Sequence, residues 1–333
     1  MEPNARAENE PKPKMNRQEG KTRRFLQFLN TSLVAAALVV LVVTFSFVSP
    51  AFLSGTNVST IFDSVAVIAV LTVGQAFVII TAGIDLSQGS VVALAGVIGA
   101  AVMMRHGIFL GTVVMLAVGL AVGLFNGILI AYTRVPAFIV TLGSLSMASG
   151  VALLATGGQP IYNLPPALSN FGGGAVMGLF PYIIIITIVV AIVGQIILGR
   201  TRFGRSVYAI GSNRTAAILS GLSVRRTTVL VYVISGLLSG LGALMLTAYV
   251  STADPQAGAN FELDAIAAVV IGGGSLFGGQ GSVWAATLGA LLLSVLTNGT
   301  QLLGVSSYAQ TLILGIVVIG AVFIDSFRKR SAV

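Results

Sequence analysis

Along most of the chain, apolar residues run unbroken for many positions, and polar residues gather in short stretches between the runs. "SLVAAALVVLVVTFSFV" (32–48) is typical. A membrane-spanning helix needs about 20 apolar residues, whereas a strand of a membrane barrel alternates apolar with polar. That alternation is missing here. The pattern predicts an all-α polytopic membrane protein with ten helices, at about 31–48, 58–81, 88–104, 108–132, 137–156, 181–199, 227–250, 263–278, 282–303 and 308–325. Eight helices would keep the same parity of the two ends. Breaks are expected near 82–88 and 272–281, and the eighth segment, which dissolves into glycines, is expected to be broken or re-entrant.

Composition agrees with the pattern. Of 333 residues, 56% are hydrophobic and 8% charged, against about 25% charged in a soluble domain. Lys and Arg total 18, with seven in residues 1–24, six in 200–226 and three in "RKR" (328–330). Basic segments stay on the cytoplasmic side during insertion, so both termini and the 200–226 loop are expected inside, and the bilayer lipid is the chain's solvent. The net charge of +8 is this topology signal; a nucleic-acid footprint needs a basic patch on a folded soluble face. The domain layout expected is a cytoplasmic tail over 1–30, disordered over 1–24, then a transmembrane domain over 31–327 and a cytoplasmic end over 328–333. An uncleaved first helix is expected, because no small-x-small cleavage site follows the apolar run.

There is a hint of internal duplication. "QGSVVALA" (88–95) matches "QGSVWAAT" (280–287) at five of eight positions, each after a glycine-containing break. Repeats with discontinuous helices are typical of transporters, whose broken ends face the substrate path. Gly119, Gly123 and Gly127, and then Gly236 and Gly240, recur at helical spacing. Such faces let helix backbones approach closely, here expected within one subunit. The longest outer connection, 157–180, is rich in Gly and Pro and is expected to be irregular.

Several chemistries are excluded. The chain has no Cys, hence no disulfide or thiolate metal site. "GKT" (20–22) lacks the glycine at position 15 and the preceding strand of a phosphate loop, and "GGGSLFGGQG" (272–281) does not fit dinucleotide spacing. No Ser–His–Asp set, metal-ligand cluster or buried carboxylate pair is evident. The single His, His106, stands beside Arg105 at a helix end. The chain is expected to be no enzyme, to hold no metal or cofactor, and to draw its energy elsewhere.

Asp85, in "TAGIDLSQGS" (81–90), follows a glycine break and precedes an apolar helix. An Asp there accepts free backbone N–H groups and complements the helix dipole. Capping is its primary expected role, and lining a polar route is compatible with it. Gln75, Thr81, Ser87, Asn126 and Asn298 are further polar positions in or beside apolar helices. There an unmatched polar group is costly, so each either lines the route or bonds a neighbouring helix.

The basic loop "RTRFGRSVYAIGSNRTAAILSGLSVRR" (200–226) is expected to contain a short amphipathic helix over 213–224, ended by Gly221. "FGRSVYAIGSNRTAAILSGLSV" resembles the ATPase-docking loop of ribose-type and branched-chain-amino-acid-type ABC importer permeases. "GIDLSQGS" (83–90), "ELDAIAAVVIGGGSLFGGQGS" (262–282) and "LLGVSSYAQ" (302–310) are similar to the sugar branch, in the same order, over about residues 30–327. Position 88 departs from it, with Gln where Val is commoner. The resemblance implies a bacterial inner-membrane permease subunit importing a monosaccharide by alternating access. It further implies a second permease copy, a cytoplasmic ABC ATPase carrying ATP and Mg, and a periplasmic sugar-binding protein. By motif, Gly204, Asn213, Ala216, Ala217 and Gly221 belong to ATPase docking. Asp254, Glu262 and Asp264, in the acidic outer segment, are the candidates for docking the binding protein. An ion-coupled secondary transporter of a small polar solute is the alternative, and a membrane scaffold for a soluble enzyme is a third reading.

Overall fold

A computed structural model describes residues 17–176 and 180–330. The fold is all-α apart from one small hairpin. Its main helices are α1 (Arg17–Val48), α2 (Gly55–Ile80), α3 (Gln88–His106), α4 (Ile108–Tyr132) and α5 (Ala137–Thr156). After α6 (Pro166–Gly172) and the hairpin of β1 (Ala175–Val176) and β2 (Phe180–Pro181) comes α7 (Tyr182–Arg200). Two short helices follow, α8 (Arg202–Ser212) and α9 (Arg214–Leu219), then α10 (Val224–Val250), α11 (Phe261–Ile271), α12 (Val283–Leu302) and α13 (Ser307–Arg330).

Each of the ten expected segments coincides with a helix, but they are unequal. Seven described helices, α2, α3, α4, α5, α7, α10 and α12, are long and apolar enough to cross a membrane. α1 and α13 add shorter apolar stretches, Ser32–Val48 and Ser307–Val317. α11 has only 11 residues, ended by Gly272, Gly273 (φ +85°) and Gly274, so the eighth segment is a half-helix.

Three expectations are corrected. Helix α1 starts at Arg17, inside the segment expected to be a disordered tail, because Pro3, Pro11 and Pro13 all lie upstream and only Gly20 interrupts the good helix formers that follow. The rest of that expected tail, 1–16, lies outside the described residues. The basic loop holds two helices where one was expected over 213–224. Thr201 caps α8 by accepting from Gly204 N–H at 3.1 Å, and Asn213 both ends α8 and caps α9. The 157–180 connection is partly regular, because Pro166 at the first position of α6 presets its helical φ.

Helix α2 is the central post, buried from Val65 to Ile80 between α10, α7, α11 and α12. It is apolar all round, as a helix enclosed by other helices must be. The glycine faces close the neighbouring pair. A Cβ at Gly127 would stand 2.9 Å from Val229 Cα, and one at Gly240 would stand 2.6 Å from the Met115 carbonyl oxygen. Gly119 and Gly123 meet the backbone of α10 at Gly236 and Tyr232. Helices α4 and α10 therefore pack backbone to backbone within the chain, with dispersion as the attraction.

The ends of the bundle differ. At the basic end lie α8 and α9, the last turns of α2, α4 and α7, and the first turns of α10 and α12. Arg225 stands over the Tyr132 ring there, 5.4 Å from its centroid, a cation–π contact. At the opposite end, the 251–260 loop bridges to Ile161 through Ala253.

Candidate functional site

Two breaks in the helices meet beneath the basic helices. α2 stops at Ile80, and the chain turns through Ala82, which is left-handed at φ +60°, then runs irregularly to Ser87 before α3 begins. Gly83 is required in that turn, since a Cβ there would stand 2.6 Å from the Tyr232 hydroxyl. The second break, between α11 and α12, lies against the first. Gly279 N–H donates to Ile80 O at 2.9 Å, and a Cβ at Gly278 would be 2.8 Å from Ala82 Cβ. Gly278 and Gly279 are left-handed, at φ +82° and +75°, a conformation that glycine adopts without penalty.

Asp85 sits inside the first break and is 1% exposed. Its Oδ1 accepts from Ser87 N–H at 3.0 Å and from Ser87 Oγ at 2.6 Å, and its Oδ2 accepts from Ser235 Oγ at 2.6 Å. Asn126 Nδ2 donates to Ser87 Oγ at 3.0 Å, and Ser144 Oγ donates to Asn126 Oδ1. Gln88 Nε2 donates to Ser235 Oγ at 2.9 Å and to Leu71 O at 3.2 Å. One buried network thus joins the start of α3 to α2, α4, α5 and α10. An interhelical hydrogen bond in a membrane protein contributes ~0.6 kcal/mol on average, so the five side-chain bonds that cross between elements give on the order of 3 kcal/mol. Their geometric effect is larger: they pin a broken helix start that backbone bonds alone leave free.

The start of α3 has a second carboxylate. Glu262, at the head of α11, accepts from the backbone of Gly89 in the first turn of α3. Its Oε2 and Gly258 O stand where a Gly89 Cβ would fall. Ser87, the N-cap position, makes no side-chain cap bond to the helix, so Glu262 takes that role from another element. Both carboxylates face the positive end of the α3 dipole.

At the basic end, α8 is fastened to both breaks. Gly211 lies against Ile80 O so closely that no side chain fits, and a Gly279 Cβ would stand 2.9 Å from Ser212 Cα. Tyr208 Oη donates to Gly281 O at 2.7 Å. Gln195 on α7 caps α12, its Oε1 accepting from Val283 N–H at 3.0 Å. Helix α9 projects beyond. Asn213 Oδ1 accepts from Ala216 N–H at 2.9 Å, Ala217 is buried, and Gly221 closes the helix in a left-handed cap at φ +75°. Ile218 and Leu219 on α9 are 57% and 83% exposed.

The residues singled out in the sequence fall into separate places. Asp85, Ser87 and Asn126 belong to the one network. Thr81 donates to Val78 O within the end of α2. Gln75 is fully buried, with neither amide atom bonded among the described residues. Asn298 pairs reciprocally with Asn57 at 3.0 and 2.9 Å. It lines, with Asp264, a cavity at the opposite end. Asp254 holds its own loop by accepting from Gln256 N–H at 2.8 Å. Gly204 presses on α7, a Cβ there standing 2.5 Å from Ile197 O. Ala216 is exposed on α9.

The sequence that folds into this bundle matches a known family of transport proteins. A family model described as branched-chain amino acid transport system / permease component aligns with residues 57–322. The chain belongs to that family. This permease is 41% identical over 296 residues to the ribose import permease protein of Haemophilus influenzae, covering 87% of this chain and 91% of the relative. It is 40% identical over 303 residues to the ribose import permease protein of Bacillus subtilis, covering 89% and 92%. With the D-allose transport system permease protein of Escherichia coli it shares 35% over 297 residues, covering 88% and 90%. No solved structure is a significant match. The resemblance carried by the sequence motifs is therefore borne out at the level of the ribose-type ABC importer permeases.

Ile218, Ser235 and Ser144 escaped the sequence reading. Ile218 lies in a helix of six residues, too short to display a periodicity that separates exposed from buried positions. Ser235 and Ser144 are ordinary small polar residues of membrane helices, and only the fold brings them to Asp85 and Asn126.

Proposed function

We propose that this permease is the membrane subunit of an ATP-driven importer that moves a monosaccharide, D-ribose, from the periplasm to the cytoplasm. The observation that carries the reading is the contact between α8 and both helix breaks, because it links a surface platform to the interior of the bundle. In this reading a soluble ABC ATPase binds α9 through the exposed Ile218 and Leu219. The basic residues around the platform keep it on the cytoplasmic side, and with it both termini. Two copies of the permease frame the path, and a periplasmic sugar-binding protein delivers the solute to the opposite end, where Asp254 and Asp264 lie; Glu262 is instead turned inward onto Gly89 at the start of α3.

The chemistry asked of this chain is mechanical. When the two ATPases close, the α9 platforms move with them. Gly211 and Tyr208 pass that displacement to Ile80–Ala82 and to Gly278–Gly281. α3 and α12 start from these two segments, so their tilts change together. The Asp85 network keeps the start of α3 in register with α10 and α4 while the break flexes. Such bistable motion of packed elements is how small displacements at one site become access changes at another.

D-Ribose is favoured over D-allose by the identities of the relatives, 40–41% against 35%. The test is uptake into proteoliposomes containing the permease, its ATPase and its binding protein. Uptake of D-ribose is expected only with ATP inside the ATPase compartment. Transport that persists with a hydrolysis-dead ATPase, or that this chain performs alone on an ion gradient, overturns the reading.

A further inference from the structure

Four helices enclose a cavity of about 290 Å³ in the half of the bundle away from the basic platform. Helices α2, α10, α11 and α12 form its walls. Ser64, Thr297 and Gln301 stand exposed among its lining residues, while Ser294 is buried. Asp63 and Asp264 face it from α2 and α11, and the rings of Tyr249 and Phe261 complete the wall.

The lining is specific in its chemistry. Among the described residues no Lys, Arg or His lines it, so no cation in the wall pairs with its two carboxylates. Asp63 Oδ1 is shielded from solvent and has no hydrogen-bond partner among the described residues, while the same carboxylate takes a hydrogen bond from Ser59. A carboxylate oxygen withdrawn from water without a donor is costly, and a native fold retains such an atom where something else supplies the donor. Asn298 is committed on one edge to Asn57, leaving one amide N–H and one carbonyl lone pair free. The wall therefore offers mostly acceptors and hydroxyls, beside two aromatic rings and the aliphatic side chains of Val67, Ile68 and Leu293. A ligand that fits must carry several O–H donors and a C–H face, and be small and uncharged.

We propose that each permease chain holds one monosaccharide molecule in this cavity, with its hydroxyls donating to Asp63 and Asp264 and its carbon face against Tyr249 or Phe261. The proposal rests on the import reading above and adds a solute site within a single chain. A cation suits the cavity less well, because it would leave the apolar part of the wall, Tyr249, Phe261, Val67, Ile68 and Leu293, without a matching surface, whereas the carbon face of a sugar covers it.

The test uses the full transporter in proteoliposomes with D-ribose as the probe. Asp264→Asn removes a charged acceptor and keeps the shape; Ser294→Phe fills the cavity and leaves the carboxylates alone. Each is expected to lower uptake about tenfold or more, Asp264→Asn by weakening a hydrogen bond to a charged group and Ser294→Phe by filling the space, while the chain still inserts and copurifies with its ATPase. Uptake within about twofold of the parent in both variants overturns the site and leaves the importer reading intact. If the parent transporter takes up no D-ribose, D-allose or L-arabinose, the importer reading itself fails, and this site with it. If instead parent uptake requires Na⁺ or K⁺ and Asp264→Asn changes that requirement, the cavity holds a cation and the proposal is overturned. Should Asp264→Asn fail to insert, Ser294→Phe alone decides.

Discussion

Asp85 illustrates how a charged side chain is kept inside a membrane bundle. It accepts three hydrogen bonds, two from Ser87 and one from Ser235, and faces the start of a helix. Removing it leaves two hydroxyls and a backbone N–H to find new partners in a buried site, at a cost of ~1–3 kcal/mol for each group left unsatisfied. Asp85→Ala is therefore expected to lower the melting temperature of the purified permease and to cut ATP-driven uptake at least about tenfold. Asp85→Asn differs: its Oδ1 still accepts both Ser87 bonds, and the Ser235 hydroxyl can turn to accept from the new amide. It is expected to retain most of the stability and more than about a third of the uptake, measured by thermal shift and by flux. Equal loss in the two variants contradicts an acceptor role and points to a need for the charge, as ion coupling requires. At this scale the sequence showed where Asp85 lies but not who holds it. The Gly–Asp break before an apolar run is a local signal, whereas Ser235, Asn126 and Glu262 reach it across long stretches of chain; Asn126 and Glu262 stand out in the sequence as polar positions but not as its partners, and nothing around Ser235 marks it.

Elements tell a similar story about what is local. Continuous apolar runs show the ten segments because an enclosed or lipid-facing helix has no polar face to hide. The half-helix α11 is foreshadowed by its run of glycines. Helix α8 was missed because Gly204 and Gly211 depress helix propensity, and their value lies in tertiary contact: each lets a backbone approach where a side chain does not fit. Gly221 is the reverse case, since its Cβ position is open space and only its φ of +75° demands glycine. A β-branched residue there costs ~1–2 kcal/mol in the left-handed region, enough to unwind a helix of six residues. Gly221→Val is therefore expected to insert normally yet to lose most ATPase copurification, while Gly221→Asn, which tolerates that φ, keeps it. Equal copurification of the two variants by pull-down from solubilised membranes would count against α9 as the platform.

For the molecule as a whole, the question is how work done outside the bilayer reaches helices inside it. If the ATPase docks at α9 as proposed, the contacts within the chain give a short route: α8 carries α9, and Gly211 with Tyr208 ties α8 to the ends of two separate helices. At Gly211 the route is backbone against backbone, so it has little slack there. It also has one point where it can be cut without touching the platform. A side chain at Gly211 collides with Ile80 O and has Gly279 N 2.6 Å from its Cβ, so α8 must lift away from both breaks, while Ile218 and Leu219 remain exposed for docking. Gly211→Leu is accordingly expected to copurify with the ATPase and to support ATP hydrolysis, while sugar uptake falls about tenfold or more. Overpacking of this kind costs ~1–3 kcal/mol, and the strain falls on the linkage itself. The measurement is the ratio of sugar moved to ATP consumed in proteoliposomes. A parent-like ratio in Gly211→Leu means that force enters the bundle elsewhere, through α7 or the start of α10. A collapsed ratio with intact assembly places the transmission at the seam between α8 and the two breaks.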